Sequence, residues 1–273
     1  MSPLSGLPRR PSIALSGLSL HPSLAIARHH LRVLRRDPMP VTILVGMPLA
    51  VMAFIQPALR FFVTAEGYPH ATGAEQAVPG MAVLFAFFLP AFVGFGIFHE
   101  HGWGTWDRLR ASPASSWQII IGKVLVPAGA AVVQQAALFG AGVVFFQLRI
   151  RGSVAALAVV IAALTCCLVA LGVATASLCR TVQQVNAIGN LGAMVFGGIG
   201  GALVPVSLLP AWAQAVAPAT PTYWAMRGFR AVILDGVGVT GVLLPAAVLL
   251  AFAAALTLLA LWRLRFDQVK LWA

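Results

Sequence analysis

Charge is scarce in this sequence, and the scarcity excludes an ordinary soluble protein. Only 9% of its 273 residues are charged and 60% are hydrophobic, whereas about 25% of the residues in a soluble domain are charged. Acidic residues are especially few, since 7 of them stand against 18 basic residues and leave a net charge of +11. Such a composition is typical of a membrane protein with positively charged ends, and it is unsuited to nucleic-acid binding.

The chain also lacks the patterns that an enzyme or a metal site requires. Gly122-Lys123 precedes Val124 rather than Ser or Thr, so these residues do not form the phosphate-binding loop of an ATPase. His99 and His101 are two residues apart, and side chains at that spacing point away from each other on a helix. The three cysteines fall within one apolar interval and are interpreted as packing residues. We therefore predict no catalytic residue and no metal site in this chain.

The intervals between charged residues predict the membrane spans. Five intervals hold between 22 and 28 uncharged positions, and a spanning helix needs about 20. A further interval, from Arg180 to Arg227, holds 46, but repeated prolines interrupt its second half. We predict one span there, followed by a broken segment that enters the outer leaflet. The expected fold is an all-α membrane protein with six transmembrane helices, an N-terminal amphipathic connecting helix and an extracellular re-entrant segment between spans 5 and 6.

The basic residues predict the orientation of the chain. With both termini cytoplasmic, 13 of the 18 Lys and Arg residues lie inside. A seven-span alternative, which places the C-terminus outside, leaves 12 inside. We predict a cytoplasmic tail and connecting helix over residues 1–39, a transmembrane domain over 40–263 and a short cytoplasmic tail over 264–273. Residues 22–36 are alternatively a flexible basic tail, and residues 1–21 have no assigned role.

The second internal loop, about residues 100–113, concentrates charged and aromatic side chains. Thr105 is suited to cap a short helix, Asp107 lies in its first turn, where an acid is favourable, and Pro113 ends it. A short helix at the cytoplasmic surface can transmit force from a soluble partner. The alternative is an interfacial loop that its tryptophans anchor at the level of the lipid headgroups.

Two groups of motifs carry a family resemblance. The first connects spans 2 and 3 and comprises Glu100, Gly104-Thr105, Leu109, Ser112-Pro113 and Gly122-Lys123. The second follows span 5 and comprises Gly200-Gly201, Pro205, Leu209-Pro210, Trp212, Pro221-Thr222-Tyr223-Trp224-Ala225, Arg230 and Gly236. In this order the chain resembles the membrane subunit, or permease, of type-2 ATP-binding-cassette exporters, particularly their bacterial drug and antibiotic exporter branch. The resemblance covers about residues 22–265.

The resemblance implies roles for both groups of motifs. The first would form the coupling helix that contacts a separate ATPase, with the residues Glu100, Gly104, Thr105, Trp106, Asp107, Arg108, Leu109, Arg110 and Pro113. The second would form the extracellular re-entrant helices, with Pro205, Pro210, Pro221, Tyr223 and Trp224.

The resemblance also implies partners and an activity. Two copies of an ATP-binding subunit would bind ATP and Mg, so that no cofactor is expected in this chain, and a second permease, identical or related, would complete the complex. The expected location is the inner membrane of a bacterial cell. The expected activity is export of a hydrophobic drug, antibiotic or lipid-like compound, with antibiotic resistance as its consequence. The alternatives are an exporter of polysaccharide or glycolipid, an intramembrane enzyme and a membrane scaffold.

Small and polar residues inside the spans suggest contacts. A stripe of small residues in span 5 permits close helix packing, either between two permeases or within one chain: Gly189, Ala193, Gly197 and Gly201. Buried amides and aromatic rings are candidates for the transport pathway, with interhelical bonding and packing as the alternative: Gln134, Gln135, Asn186, Asn190, Phe88 and Phe92. Arg227 and Arg230 are expected to attract an anionic group or to serve as an interfacial anchor pair.

Overall fold

The computed structural model describes residues 39–102 and 116–263, together with Arg28 and Arg32, which are helical and exposed. Every regular element defined in these two ranges is helical. The α-helices are α1 (Met39–Ala65), α2 (Ala74–Ala86), α3 (Leu89–Gly102), α4 (Ser116–Phe145), α5 (Val154–Leu178), α6 (Val182–Ile199), α7 (Ala211–Val216), α8 (Pro221–Ile233) and α9 (Leu243–Arg263). Single turns of 3-10 helix cover Val206–Leu208, Ala217–Ala219 and Val239–Val242.

Five helical segments are long and apolar enough to cross a membrane. They are Thr42–Ala65, Ala74–Gly96, Gln118–Phe145, Val154–Leu178 and Val239–Trp262. These segments confirm the prediction of an all-α membrane protein. The remaining predicted span corresponds to α6, which has 18 residues and does not belong to this set.

The helix α5 lies at the centre of the bundle. It packs most extensively against α9 and also contacts α3, α4 and α8. Its buried face includes Leu164 and Leu168, and close packing is possible at Gly172, where an added methyl group would lie 2.8 Å from Val93 of α3. Small residues on α5 therefore allow the neighbouring helices to approach its backbone.

The segment Ala74–Gly96, the second candidate span, is broken at Phe87–Phe88, which the sequence analysis did not predict. Pro90 has no backbone N–H, so it supplies no helical donor to the carbonyl of Ala86, and its ring disfavours a continuous helix. The amides of Phe87 and Phe88 donate instead to the carbonyls three residues earlier, at 3.2 Å each. The break divides the span into α2 and α3 within its apolar region.

Three connecting segments meet at one end of the bundle, which we call the distal end: residues 66–73, 146–153 and 200–242. Gln56 Nε2 donates to the carbonyls of Thr72 and Phe146, at 3.3 and 3.1 Å. Arg151 donates to the carbonyl of Leu234 at 3.2 Å. The opposite end, where α3 finishes and α4 begins, is the proximal end.

Candidate functional site

The predicted coupling segment lies mostly outside the described residues. Glu100 belongs to the last turns of α3, whereas the other residues predicted for this role lie outside the structure's described ranges: Gly104, Thr105, Trp106, Asp107, Arg108, Leu109, Arg110 and Pro113. The structure does describe the two helices, α3 and α4, that this segment connects. The contact between these two helices lies at the proximal end, next to the predicted coupling segment.

A buried lysine joins α3 to α4 at the proximal end. Lys123 is 2% exposed, and its Nζ donates a 2.5 Å hydrogen bond to the carbonyl of Gly96. A buried ammonium group is unfavourable unless acceptors surround it, so this bond constrains the relative position of the two helices. Lys123 and Gly96 lie on either side of the predicted coupling segment, so this bond joins the two helices that the segment connects.

The small-residue stripe on α6 makes an internal contact with the second candidate span. A methyl group added at Gly197 would lie 3.0 Å from Leu84 of α2, and one added at Gly189 would lie 3.8 Å from Ala91 of α3. Ala193, between these glycines, is buried. The stripe therefore makes a contact within the chain. Gly201 follows α6 with a φ of 86°, a conformation that favours glycine.

The opposite face of α6 is exposed and is mostly apolar, with a polar side chain beside it. Its large apolar side chains include Leu191, Met194 and Val195. Asn190 is exposed on the same helix and Asn186 is half-buried. Asn190 thus lies beside the exposed face, whereas Asn186, three residues before Gly189, lies on the face of the packed stripe, and neither of them meets Gln134 or Gln135 in a described hydrogen bond.

Gln134 binds the backbone of α1. Its side chain is 2% exposed, and Nε2 donates to the carbonyl of Leu44 at 3.2 Å. In a regular helix the N–H of residue 48 would occupy that carbonyl, but residue 48 is proline, which has none. The side chain of Gln134 therefore supplies the donor that Pro48 lacks, and this bond joins α4 to α1.

Gln135 is 1% exposed, and neither its Nε2 nor its Oε1 has a hydrogen-bond partner. Gln134 and Gln135 are thus adjacent buried glutamines, of which the first has a hydrogen-bond partner and the second has none. Buried amides are normally paired, so this one requires a physical explanation.

The predicted aromatic residues flank the break in the second candidate span. Phe88 is partly exposed and lies against Phe85, with their ring centroids 5.6 Å apart. Phe92 is half-buried. Phe87 is buried and packs against Phe196 of α6 at 6.0 Å. The rings therefore divide between helix packing and a partly open surface.

A polar cluster at the distal end holds the segment after α6 against α1 and α2. Arg230 of α8 forms an ion pair with Glu66, and it also donates to Gln76 Oε1 at 2.7 Å. Gln76 is fully buried, and its Nε2 donates to the carbonyls of Gly201 and Ala202, at 2.7 and 3.3 Å. The Ser207 hydroxyl donates to the other oxygen of Glu66. Arg230 therefore binds other side chains of this protein and does not form an interfacial anchor pair with Arg227.

The predicted re-entrant residues lie in a run of short helical turns. Pro205 and Pro210 each precede a turn, and Pro221 is the first residue of α8, the positions at which proline is compatible with helix geometry. Tyr223 and Trp224 form an edge-to-face pair with centroids 5.3 Å apart.

Trp224 also contacts residues on both sides of it in the sequence. Its Nε1 donates to the carbonyl of Pro218 at 2.8 Å, and the guanidinium of Arg227 lies 5.4 Å from its ring centroid. The exposed Arg227 is thus held by the indole ring, an arrangement that suits a position at a membrane interface.

The described residues also form an open apolar groove of about 390 Å³ between α4, α5 and α9. Its two hydroxyl groups, of Thr165 and Thr257, each donate to a carbonyl of their own helix at 2.8 Å. The groove therefore offers an apolar surface with no free hydroxyl donor. No group of three or more His, Cys, Asp or Glu side chains suited to a metal ion occurs within residues 39–102 and 116–263.

Sequence reasoning missed the partners of three polar residues. The sequence identifies Lys123 as a charge at the boundary of an apolar interval and as part of a motif, but it does not single out Gln76 or predict the pairing of Glu66 with Arg230. Polar side chains in or beside long apolar intervals are the signal that could have identified all of them. Their partners are distant in the sequence, so composition and spacing alone do not reveal them.

Comparison with known proteins gives the family. Residues 26–234 match the ABC-2 type transporter family. The chain is 29% identical over 196 residues to the linearmycin resistance permease protein LnrN of Bacillus subtilis (strain 168), covering 69% of this chain and 49% of that protein. It is 32% identical over 119 residues to the probable multidrug ABC transporter permease YbhR of Escherichia coli (strain K12), covering 42% of this chain and 31% of that protein. The chain thus spans about half the length of the first relative that it matches.

The family match includes the helices on both sides of the predicted coupling segment and the broken segment after α6. It agrees with the resemblance carried by the two groups of sequence motifs. The protein therefore belongs to the ABC-2 type transporter family.

Proposed function

We propose that this chain is the permease subunit of an ATP-driven exporter that moves a hydrophobic drug, antibiotic or lipid-like compound out of a bacterial cell. The observation that carries the proposal is the match of residues 26–234 to the ABC-2 type transporter family. The buried bond between Lys123 and Gly96 supports it, because this bond connects two apolar helices at the point where a soluble ATPase would press on the chain. The names of the two relatives, one for linearmycin resistance and one for multidrug transport, favour this class of substrate.

The proposal includes six spans, with α6 as the fifth. Its support is the path of α6 along the second candidate span: Val185 lies beside Gly94 at one end, and Gly201 receives the Gln76 amide at the other. A helix that accompanies a spanning segment over this length also crosses the apolar layer. The short turns from Pro205 to Ala219 and the start of α8, with Pro221, Tyr223 and Trp224, then form the re-entrant segment, with the distal end outside the cell.

The proposal also includes partners that the chain does not contain. Two ATP-binding subunits bind ATP and Mg and perform the hydrolysis, and closure of that pair rocks two permeases. The second permease, identical or related, covers the exposed face of α6 that contains Leu191 and Met194. An exposed amide on that face, Asn190, is costly in lipid and is better placed against a protein surface or a polar pathway.

Charge reversal in the coupling segment tests the proposal. The full complex, co-expressed with the ATP-binding subunits of the same bacterium, is reconstituted in vesicles, and ATP-driven drug uptake is measured. Asp107→Lys is expected to reduce transport strongly without preventing insertion, because it reverses a charge where the ATPase would bind. The matched control is Asp267→Lys, the same change in the C-terminal tail, which is expected to transport normally.

Two results would contradict the proposal. One is purification of the intact chain, gently extracted, without any ATP-binding subunit. The other is undiminished transport by Asp107→Lys, which would exclude residues 100–113 as the element that transmits force.

A further inference from the structure

Gln135 differs from the other buried amides of α1 to α4. Gln76 and Gln134 both have carbonyl partners, as described above, whereas Gln135 has none for either polar atom. Within the described part of the chain, its Nε2 and Oε1 are the only buried side-chain polar atoms without a partner. Burial of an unpaired amide destabilises the folded protein, so a bound group that supplies the missing hydrogen bonds would stabilise it.

The packing of α4 on the second candidate span locates Gln135. Gly142 meets Val78, where an added methyl group would lie 2.8 Å away, and the Lys123 ammonium meets the Gly96 carbonyl. The two segments are antiparallel, so Gln135, seven residues before Gly142, lies level with Phe85, seven residues after Val78. Seven residues are nearly two helical turns, which puts Gln135 and Gly142 on the same face of α4.

That level is the break in the second candidate span. The amides of Phe87 and Phe88 make three-residue turns there, and Pro90 supplies no helical donor to the carbonyl of Ala86. The rings of Phe85 and Phe88 lie together at 5.6 Å, with Phe88 partly exposed. The unpaired amide of Gln135 and an aromatic surface therefore lie at the same depth in the bundle.

We propose that Gln135 and residues 85–90 form a substrate-binding site that takes an uncharged hydroxyl or amide group of an otherwise apolar compound. The site rests on the proposed export function and specifies the chemistry of the substrate. Gln135 offers one donor group and one acceptor, which a hydroxyl or an amide matches with its own acceptor and donor. A charged group does not fit, because no described residue at this level carries a compensating charge and burial of an unpaired ion is costly.

Binding of two matched probes tests the site. The full-length permease is placed in lipid nanodiscs that contain either pyrenyldecanol or decylpyrene at equal mole fractions in the lipid. Fluorescence energy transfer from the tryptophans of the protein to the pyrene group measures the binding of each probe. The wild-type protein is expected to prefer the alcohol by about threefold to tenfold, the range that one net hydrogen bond provides. Gln135→Leu is expected to abolish the preference and to leave the melting temperature equal or higher. The matched control, Gln134→Leu, is expected to keep the preference and to melt at a lower temperature.

Three outcomes overturn the site: no preference in the wild-type protein, the same preference in Gln135→Leu, or a loss of stability in Gln135→Leu as large as that in Gln134→Leu. The last would mean that Gln135 is paired within the fold through bound water. ATP-driven accumulation of pyrenyldecanol in vesicles that also contain the ATP-binding subunits tests export separately. A preference without accumulation contradicts export and supports the binding site, whereas accumulation without a preference contradicts the site and supports export.

Discussion

Arg230 of α8 forms an ion pair with Glu66, a residue 164 positions earlier in the chain, between α1 and α2. Glu66 at the same time accepts the hydroxyl of Ser207, and Arg230 donates to Gln76. The side chains of the ion pair are only 21% and 16% exposed, so water screens their attraction weakly. One carboxylate thereby connects the segment after α6 to the first two candidate spans.

The first prediction concerns the strength of this ion pair. A double-mutant cycle with Glu66→Gln and Arg230→Gln is expected to give a coupling free energy of about 1–3 kcal/mol, because each single change leaves a partly buried charge without its partner. Thermal or denaturant unfolding in detergent measures it. The same cycle with Arg227 in place of Arg230 is expected to give no coupling, and additive effects in the Arg230 cycle would contradict the role assigned to the pair.

The second prediction concerns the donor that Gln134 supplies to α1. Gln134→Leu leaves the carbonyl of Leu44 without a donor inside the bundle and is expected to destabilise the protein by about 1–3 kcal/mol. Pro48→Ala restores a backbone N–H four residues after Leu44, so it is expected to reduce the cost of the Gln134 change. Melting temperatures of the two single variants and of the double variant measure this effect. An equal cost in both backgrounds would show that the carbonyl of Leu44 is not the relevant partner.

The third prediction concerns Lys123. Lys123→Met keeps the length and burial of the side chain but removes the charged donor to Gly96. A charge-assisted hydrogen bond contributes about 1.5–3 kcal/mol, which is roughly tenfold or more in the population of the bonded arrangement of α3 and α4, and ATP-coupled transport is expected to fall with that population. Transport per inserted molecule is the quantity to measure in vesicles, and Lys123→Arg, which retains donors, is the control. Normal transport by Lys123→Met would show that this hydrogen bond is not required for coupling to the ATPase.

The fourth prediction concerns Tyr68 at the distal end. Its hydroxyl donates to Asp235 at 2.8 Å, and this bond, together with partial burial, raises the pKa of Tyr68 above its ordinary value of 10. The raised pKa means that the bond stabilises the folded protein below pH 10 and that this contribution is lost as the pH rises through the raised value.

The sequence has two tyrosines, which makes this pKa directly measurable. Tyr223→Phe leaves Tyr68 as the single tyrosine, and its ionisation is followed by ultraviolet absorbance. The expected titration midpoint lies above 10 and moves down when Asp235→Asn removes the carboxylate. A midpoint that Asp235→Asn leaves unchanged would contradict the contact between these residues.

Much of the fold follows from the sequence because membrane insertion depends on composition. Five of the six intervals between charges overlap the five apolar segments of the structure, since one ion in a span outweighs many apolar side chains. The charged residues Arg60, Glu75 and Lys123 fall near the ends of three of these segments. The prolines after α6 fall at the beginnings of short turns, as expected of residues that cannot continue a helix. The break at Phe87–Phe88 was missed even though Pro90 signals it, because a proline inside a span is often accommodated without a break.

The candidate site was less predictable. Gln134 and Gln135 are identical in type and adjacent in sequence, yet one pairs with Leu44 and the other has no partner. The difference depends on a proline in another helix and on the rotation of α4. Similarly, the stripe through Gly189 and Gly197 permits a close contact without specifying which helix makes it.

The sequence by itself determined that this chain enters a membrane, which segments are apolar enough to cross it and which family motifs it contains, because these properties are sums over neighbouring residues. Only the tertiary structure decided that Arg230 binds Glu66, that Gln134 replaces a donor missing from Pro48 and that Gln135 remains unpaired. Those relationships depend on the distance between groups far apart in the chain, and hydrogen bonds and ion pairs act only over a few ångströms.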